Sequence, residues 1–421
     1  MQKHQSIFRT ALLSSAFAIA ALAPAIGAPT HTADQKRLLA LQGTLAEAGH
    51  TPPQTGLAEN AFRRHASKAT YTVLYKFLGG NDGSGSGANV TFDSAGNLYG
   101  TTDFGGASFD GVVFKLTPDG TESVLQTFSG SDGSQPDGAV IVMPNGDIIG
   151  STSSGGADSN GVLFRLSAKG KLKILHDLSS TDGSDIRGNL LQDKLGNLYG
   201  TALFSGANSA GTVFEYAADG TFTVLHAFDG TDGEYPEHGL VADKAGNLYG
   251  VTAFGGASGE GTVFKISTKG KFATLYNFTN GADGGFLYGR LDIDKQGNLY
   301  GSTVDGGASN DGTVFKLSPT GTLTTLYNFV GGSDVSGPEG DMRLVGKNLY
   351  STASTGGDPT CQCGGIYEVT AKGKEKILHA FLGTDGSGYS AGLTLANGLF
   401  YGAAQSGGDN ENGVVFSVTK K

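Results

Sequence analysis

Along most of this chain, apolar residues come in runs of four to seven, rich in Val, Leu, Tyr, Phe and Thr and bounded by glycine. Runs of that length and composition predict β-strands rather than helices. They recur in a fixed order. Between 239 and 278 the order is Gly239–Asp243, a Lys-Ala-Gly turn, Asn247–Thr252, a Gly-rich loop, Gly261–Ser267, a Thr-Lys-Gly turn and Phe272–Phe278. The hexad G-N-L-Y-G-T at 96–101 returns at 196–201, then as G-N-L-Y-G-V at 246–251 and G-N-L-Y-G-S at 297–302. Weaker copies stand at 146–151, 347–351 and 399–402. Its tyrosine position runs Tyr99, Ile149, Tyr199, Tyr249, Tyr300, Tyr350 and Tyr401, a period of 50 or 51 residues.

Four short strands per repeat, joined by tight turns, predict the blade of a β-propeller. Asp119-Gly120, Lys169-Gly170, Asp219-Gly220 and Lys269-Gly270 supply the positive-φ residue that such hairpins need. The third strand carries an aromatic in every unit: Phe114, Phe164, Phe214, Phe264, Phe315, Tyr367 and Phe416. The fourth ends at Phe77, Phe128, Leu178, Phe228, Phe278, Phe329 and Phe381. Phe77 precedes every other strand, and the last unit stops after its third strand at Val418. The expected fold is therefore an all-β, seven-bladed β-propeller spanning 70–421. Its N-terminal strand, Tyr71–Phe77, closes the last blade, alongside Gly392–Leu395, Leu399–Ala403 and Val414–Thr419. Such closure pairs edges that would otherwise be exposed. The aromatic columns read as inter-blade core, each burial contributing roughly 1.5–3 kcal/mol.

The repeat unit, LxxFxGxDG…GLxxDxxGNLYGTTxxGGAxxxGTVFKLTPxG, resembles the Gloeobacter–Verrucomicrobia (GloVer) tandem repeat of exported bacterial proteins. The likeness runs from Tyr71 to Lys420. More loosely, the G-L-V-A-D-K-A-G-N-L-Y-G strand pair looks like NHL-type propellers. The resemblance implies an exported propeller-like protein, often with one of several C-terminal anchors and without an assigned activity. It supplies no functional residues to carry over. No C-terminal sorting helix follows the last predicted strand, which points to a soluble periplasmic or secreted form.

Composition changes this picture little. Glycine accounts for 70 of 421 residues, far above the ordinary ~7%, but at fixed offsets within each repeat rather than every third residue. That is turn chemistry, not collagen. Residues 1–28 read as a signal peptide: Lys3 and Arg9 form the basic n-region, Ala11–Ala23 the apolar run, and Ala23-Pro24-Ala25 or Ile26-Gly27-Ala28 the cleavage site. The run is too short to span a membrane, so no span is expected in the mature chain. Residues 29–69 read as a leader or linker, with a helix expected over Ala33–Ala48. The formal charge is −10, falling to about −12 once Lys3 and Arg9 are removed. With no basic patch, nucleic acid is a poor partner. Cys361 and Cys363 are the only cysteines; export permits a disulfide between them, while two free thiols are the alternative. Two thiols alone make a poor zinc site.

Candidate chemistry sits on the face that carries the loops after the second and fourth strands. Seven Asp residues recur there, Asp82, Asp132, Asp182, Asp232, Asp283, Asp334 and Asp385, all but Asp334 before Gly. They read as turn caps; the sharper alternative is a ring of carboxylates for Ca²⁺. Phe104, Phe204 and Phe254 offer a sugar platform or simply pack their own loops. His176, His226 and His379 share the outer-strand column of Tyr75, Tyr276 and Tyr327, so no three-His metal site is evident. No G-x-S-x-G elbow appears, and no cofactor is expected.

Departure from symmetry is more informative. First strands should line the central channel, and in blades four to six they and their approaches are charged. Glu234, Tyr235, Glu237, His238, Phe286, Tyr288, Arg290, Asp292, Glu339, Asp341 and Arg343 are the candidates for holding a polar ligand; the alternative is a set of hydrated channel ion pairs. Asp292 and Asp341 are the candidate carboxylate pair for acid–base work. The reading is a monomeric, exported, non-catalytic binding or interaction module, with a glycan or envelope protein as the partner class. The alternatives are a lyase or hydrolase acting on an envelope or extracellular polymer, and a purely structural surface protein.

Overall fold

The computed structural model describes residues 69–420. The expected signal peptide and helix lie outside them. The described residues form seven four-stranded antiparallel sheets arranged as a β-propeller, with no helix among them. Blade one comprises Thr91–Phe92, Leu98–Thr102, Val112–Leu116 and Glu122–Thr127, and five more blades repeat that order. In the seventh, Thr394–Ala396, Leu399–Ala404 and Val414–Thr419 are completed by Tyr71–Lys76. The N-terminal strand thus closes the ring through Tyr71↔Val418 to Lys76↔Val414. The inner strands are shorter than the sequence suggests, two or three residues each. Their preceding segments run as irregular loops over one end of the channel.

The repeated hexad has a physical reason at each position. Gly100 pairs across the sheet with Phe114. A Cβ on Gly100 would lie 2.6 Å from that ring, so only glycine leaves room for the third-strand aromatic. The Tyr99 hydroxyl donates to Asp93 at 2.9 Å, and Asp93 also accepts from the backbone of Ala95 and Asn97. Asp193, Asp243 and Asp294 repeat this turn. Thr101 donates to the carbonyl of Gly138 in the next blade, Thr201 to His238 and Ser302 to Pro338. These hydroxyls fix the loop that enters each following blade.

The core divides into seven apolar clusters, each lying between two neighbouring blades. Phe77, Val90, Leu98, Phe114 and Val415 join blade seven to blade one. Phe128, Val140, Ile148 and Phe164 join one to two. One cluster for every interface is what a closed seven-membered ring requires. Phe114, Phe164, Phe214, Phe264, Phe315, Tyr367 and Phe416 are fully buried. Cys361 and Cys363 are joined by a disulfide in the loop before the third strand of blade six.

Candidate site at the mouth of the channel

Two positions in each inner-strand approach loop build the site. The inner one is Asn89, Ala139, Asn189, Gly239, Arg290, Asp341 and Gly392 in blades one to seven. Asp341, almost wholly buried, is its centre. It accepts from the Asn89 side chain at 2.6 Å, from Asn189 at 2.9 Å, from the Arg290 backbone at 2.9 Å and from Arg290 Nε at 3.2 Å. His238 Nδ1 lies 3.4 Å away, and His238 Nε2 meets the Tyr389 hydroxyl at 3.1 Å. Residues from six blades therefore converge on or near one carboxylate. Burial opposes ionisation of Asp341, but Arg290 and His238 overcome it and hold the carboxyl well below its usual range. The same pairing raises His238 despite its burial.

The outer position, two residues earlier, is Gly87, Asp137, Arg187, Glu237, Tyr288, Glu339 and Ser390. Arg187 is clamped by Asp185, at 2.9 and 2.8 Å, and by Glu237 at 3.2 Å, with Asp137 at 4.0 Å. Asp103, from the end of the second strand of blade one, accepts from Gln405 at 2.9 Å and faces Asp137. Burial raises Asp103 well above an ordinary carboxyl, and the Asp137 charge adds to it. Burial lifts Asp137 to about 6, against the pull of Arg187. Burial likewise lifts Glu339 to about 7, with Glu237 and Asp305 nearby. The Tyr288 hydroxyl is pushed up by burial and by Glu237 and Glu339.

The residue at the start of each approach loop has a positive φ in all seven blades. It is glycine in blades one, six and seven, but Gln135, Asp185, Tyr235 and Phe286 in blades two to five. Side chains larger than glycine are strained there. Close backbone contact between loops adds rigidity: a Cβ on Gly289 would sit 2.2 Å from the Gly340 carbonyl.

Of the sequence candidates, the structure brings Glu237, His238, Tyr288, Arg290, Glu339 and Asp341 to the mouth. Asp292 and Arg343 lie two residues further along, on the inner strands. Asp292 there accepts from the Leu344 backbone at 2.8 Å, tying blade five to blade six. Asp292 and Asp341 are thus engaged with separate partners. Glu234 pairs through its backbone with Phe254. Tyr235 packs edge-on against Phe204 and Phe254, and Phe254 against Phe286. Phe254 is buried in this packing, while Phe104 stays exposed.

Sequence reasoning missed Asp103, Asp137, Arg187, Tyr389, Asn89, Asn189 and Gln405. The signal was available for the approach-loop residues: reading the two loop positions around all seven units exposes Asp137 and Arg187 beside Glu237.

The repeated turn aspartates cap their own loops. Asp232 accepts from the Asp229 backbone at 3.1 Å and meets His226 Nε2 at 2.7 Å. Asp182 and Asp385 do the same with His176 and His379, and Asp82, Asp283 and Asp334 with Tyr75, Tyr276 and Tyr327. Among the described residues, no three His, Cys, Asp or Glu side chains are placed to share a metal ion. Among the described residues, no helix is long and apolar enough to cross a membrane.

Known proteins extend the comparison. Streptogramin B lyase superposes over 83% of this chain and 97% of its own, at 15% identity and a TM-score of 0.53. An extracellular domain from B. thetaiotaomicron, described as part of a one component system, aligns over 82% of this chain and 39% of that one, at 11% identity and a TM-score of 0.54. Puromycin hydrolase aligns over 77% of this chain and 50% of its own, at 13% identity and a TM-score of 0.52. At such identities the likeness is one of fold alone. No curated protein matches the sequence. The model of the Gloeobacter/Verrucomicrobia repeat matches residues 40–248, 175–361 and 238–421. Those matches overlap through the whole propeller, and the chain belongs to the Gloeobacter/Verrucomicrobia repeat family.

Proposed function

We propose that this protein is an exported, non-catalytic binding module that takes a polar ligand at the channel mouth. One observation carries the reading. Glu237 Oε2, the Tyr288 hydroxyl and the Ser390 hydroxyl are buried in the approach loops without a hydrogen-bond partner in the protein. A buried polar atom left unpaired costs about 1–3 kcal/mol. Three of them on the outer positions of blades four, five and seven, in loops stapled to neighbouring blades, favour a ligand that completes their bonds. Fold likeness to an extracellular sensor domain and the signal-like N-terminus support export. Thermal unfolding of the mature chain against soluble glycans, peptidoglycan fragments, amines and peptides tests this. A ligand that binds only the native state at a hundredfold excess over Kd raises its stability by about 2.7 kcal/mol. A shift roughly halved by Tyr288→Phe, as a tenfold loss of affinity requires, is the expected result. Shifts that ignore mouth substitutions would overturn the site.

A lyase or hydrolase acting on an envelope or extracellular polymer is the second reading. Glu339 at about 7 and Asp137 at about 6 can exchange protons near neutrality, as a general acid or base must. Streptogramin B lyase and puromycin hydrolase share the fold. Mass analysis of such polymers after incubation with wild type and Glu339→Gln decides it: products formed only by the wild type would replace the binding reading.

A further inference from the structure

We infer that the mouth recognises its ligand through a primary ammonium group, held by the outer ring of carboxyls and the Tyr288 hydroxyl. This rests on the binding reading above and specifies the ligand class.

Charge balance argues first. At the outer level, Asp103, Asp137, Asp185 and Glu237 surround Arg187, while Glu339 and Asp137 face His238, so five carboxyls stand against two cations. That guanidinium is already engaged by Asp185 and Glu237. Below it, Arg290 and His238 are turned onto Asp341. An anionic ligand would meet carboxylates at the mouth and cations committed elsewhere.

The unpaired atoms argue second, and independently. Glu237 Oε2 is an acceptor lacking a donor, and the Tyr288 hydroxyl, in a residue only 8% exposed, lies among Glu237, Glu339 and Asp305 without a partner of its own. An ammonium carries three donors and no acceptor. It supplies what these oxygens lack, and its charge relieves the mutual repulsion of the acids. A neutral sugar hydroxyl supplies the hydrogen bonds but not the charge.

The backbone argues third. Blades two to five keep Gln135, Asp185, Tyr235 and Phe286 where the other blades have glycine and the backbone is left-handed. Asp185 uses that geometry to hold Arg187 aside, leaving Oε2 of Glu237 unspent.

Because the ligand needs ionised carboxylates, its binding releases protons where Glu339 and Asp137 are partly protonated. Glu339 faces Ser354, Glu237, His238 and Asp305; Asp137 faces Arg187, Asp185, His238 and Glu237.

Calorimetry on the mature protein provides the test. The probes are a glucosamine tetramer, its fully N-acetylated counterpart and spermidine. The glucosamine tetramer and spermidine distinguish an amino sugar from a polyamine as the source of the ammonium. At least one of them should bind ~10-fold or more tightly than the acetylated oligomer. If spermidine binds, its affinity should rise about tenfold from pH 6 to pH 8, as one protein group near pH 7 ionises while its amines stay protonated; the glucosamine amines lose protons over the same range, so the tetramer should gain less. Proton release at pH 6 should appear as a dependence of the heat on buffer ionisation. Tyr288→Phe removes only a hydroxyl that the protein leaves unpaired, so the fold persists, and affinity should fall about tenfold. Equal affinity for the acetylated oligomer, or no binding of either amine, overturns the ammonium inference. If a neutral ligand then binds and loses affinity in Tyr288→Phe, the binding reading survives. If no polar ligand responds to that substitution, both fall.

Discussion

The side-chain amide of Asn89 donates to the carboxylate of Asp341 at 2.6 Å, across 252 residues of sequence. Asn89 enters blade one and Asp341 enters blade six, with blade seven between them. The bond reaches over the channel rather than along the ring, and Asn189 of blade three reaches the same carboxylate. The loop-face end of the channel is therefore bridged by a polar hub, and the outer carboxyls form a cup above it.

Removing the hub carboxylate leaves buried His238 and half-buried Arg290 without their counter-charge. Breaking a buried ion pair from one side costs about 3–5 kcal/mol. Asp341→Ala should lower stability by that order in chemical denaturation. Asp341→Asn keeps an acceptor for Asn89 and should cost less. A loss below about 1 kcal/mol for Asp341→Ala would show that blade packing alone holds the ring.

Stability should peak in mildly acidic solution. Glu339 and Asp137 have folded-state values raised to about 7 and about 6. Raised carboxyls contribute stability fully present below their unfolded values, near 4, and lost as pH rises through 6 to 7. His238 is also raised, so its contribution is complete below about 6.5 and lost above its folded value. Asp341 and the turn residue Asp243 are lowered; their contribution is present above about 4 and lost in stronger acid. Scanning calorimetry should find a higher Tm at pH 5 than at pH 8, and Glu339→Gln should flatten that difference. A Tm that climbs steadily to pH 8 would contradict the assignment.

The ring was legible because its determinants are local and repeated. Gly100 beneath Phe114, and Asp93 beneath Tyr99, recur at a fixed offset, so periodicity alone exposes them. Strand closure followed from phase: Phe77 arrives before any partner strand. The mouth was half legible. Glu237, His238, Tyr288, Arg290, Glu339 and Asp341 concentrate charge and ring groups in blades four to six, and that concentration is visible in sequence. Asp103 was hidden because it follows a second strand, in a column otherwise filled by the uncharged Ser153, Leu203, Ala253, Val304, Ser354 and Gln405. Asn89 and Tyr389 were hidden because only closure of the ring brings them to blades four to six. Arg343 and Asp292 lie on the inner strands, two residues beyond the hub positions, a displacement that charge alone does not reveal.

Packing beneath the aromatic column is tight enough to test with one methyl group. A Cβ on Gly250 would lie 2.5 Å from the Phe264 ring and 2.9 Å from Leu240. Both neighbours are fully buried. Overpacking of this kind costs typically 1–3 kcal/mol. Gly250→Ala should lower the urea midpoint accordingly, and the double substitution Gly250→Ala with Phe264→Leu should recover part of the loss. Full tolerance of Gly250→Ala would mean that the glycine serves only the strand's conformation.

The recurring Asp-Gly loops decide between a cap and a calcium ring. Asp232 spends one carboxylate oxygen on the Asp229 backbone and the other on His226, whose ring stacks on Phe272 at 3.7 Å. A cap needs an acceptor, not a charge, so Asp232→Asn should keep most of the stability. Asp232→Ala should lose about 0.5–2 kcal/mol, the range for removing a capping acceptor. Calcium binding makes the opposite demand: oxygen ligands with negative charge set the affinity, and Asn would then fail as badly as Ala. Thermal unfolding of wild type, Asp232→Asn and Asp232→Ala, each with calcium and with chelator, separates the two. The cap requires a graded loss that neither addition alters. A calcium-dependent rise in Tm, abolished equally by both substitutions, would establish the ring.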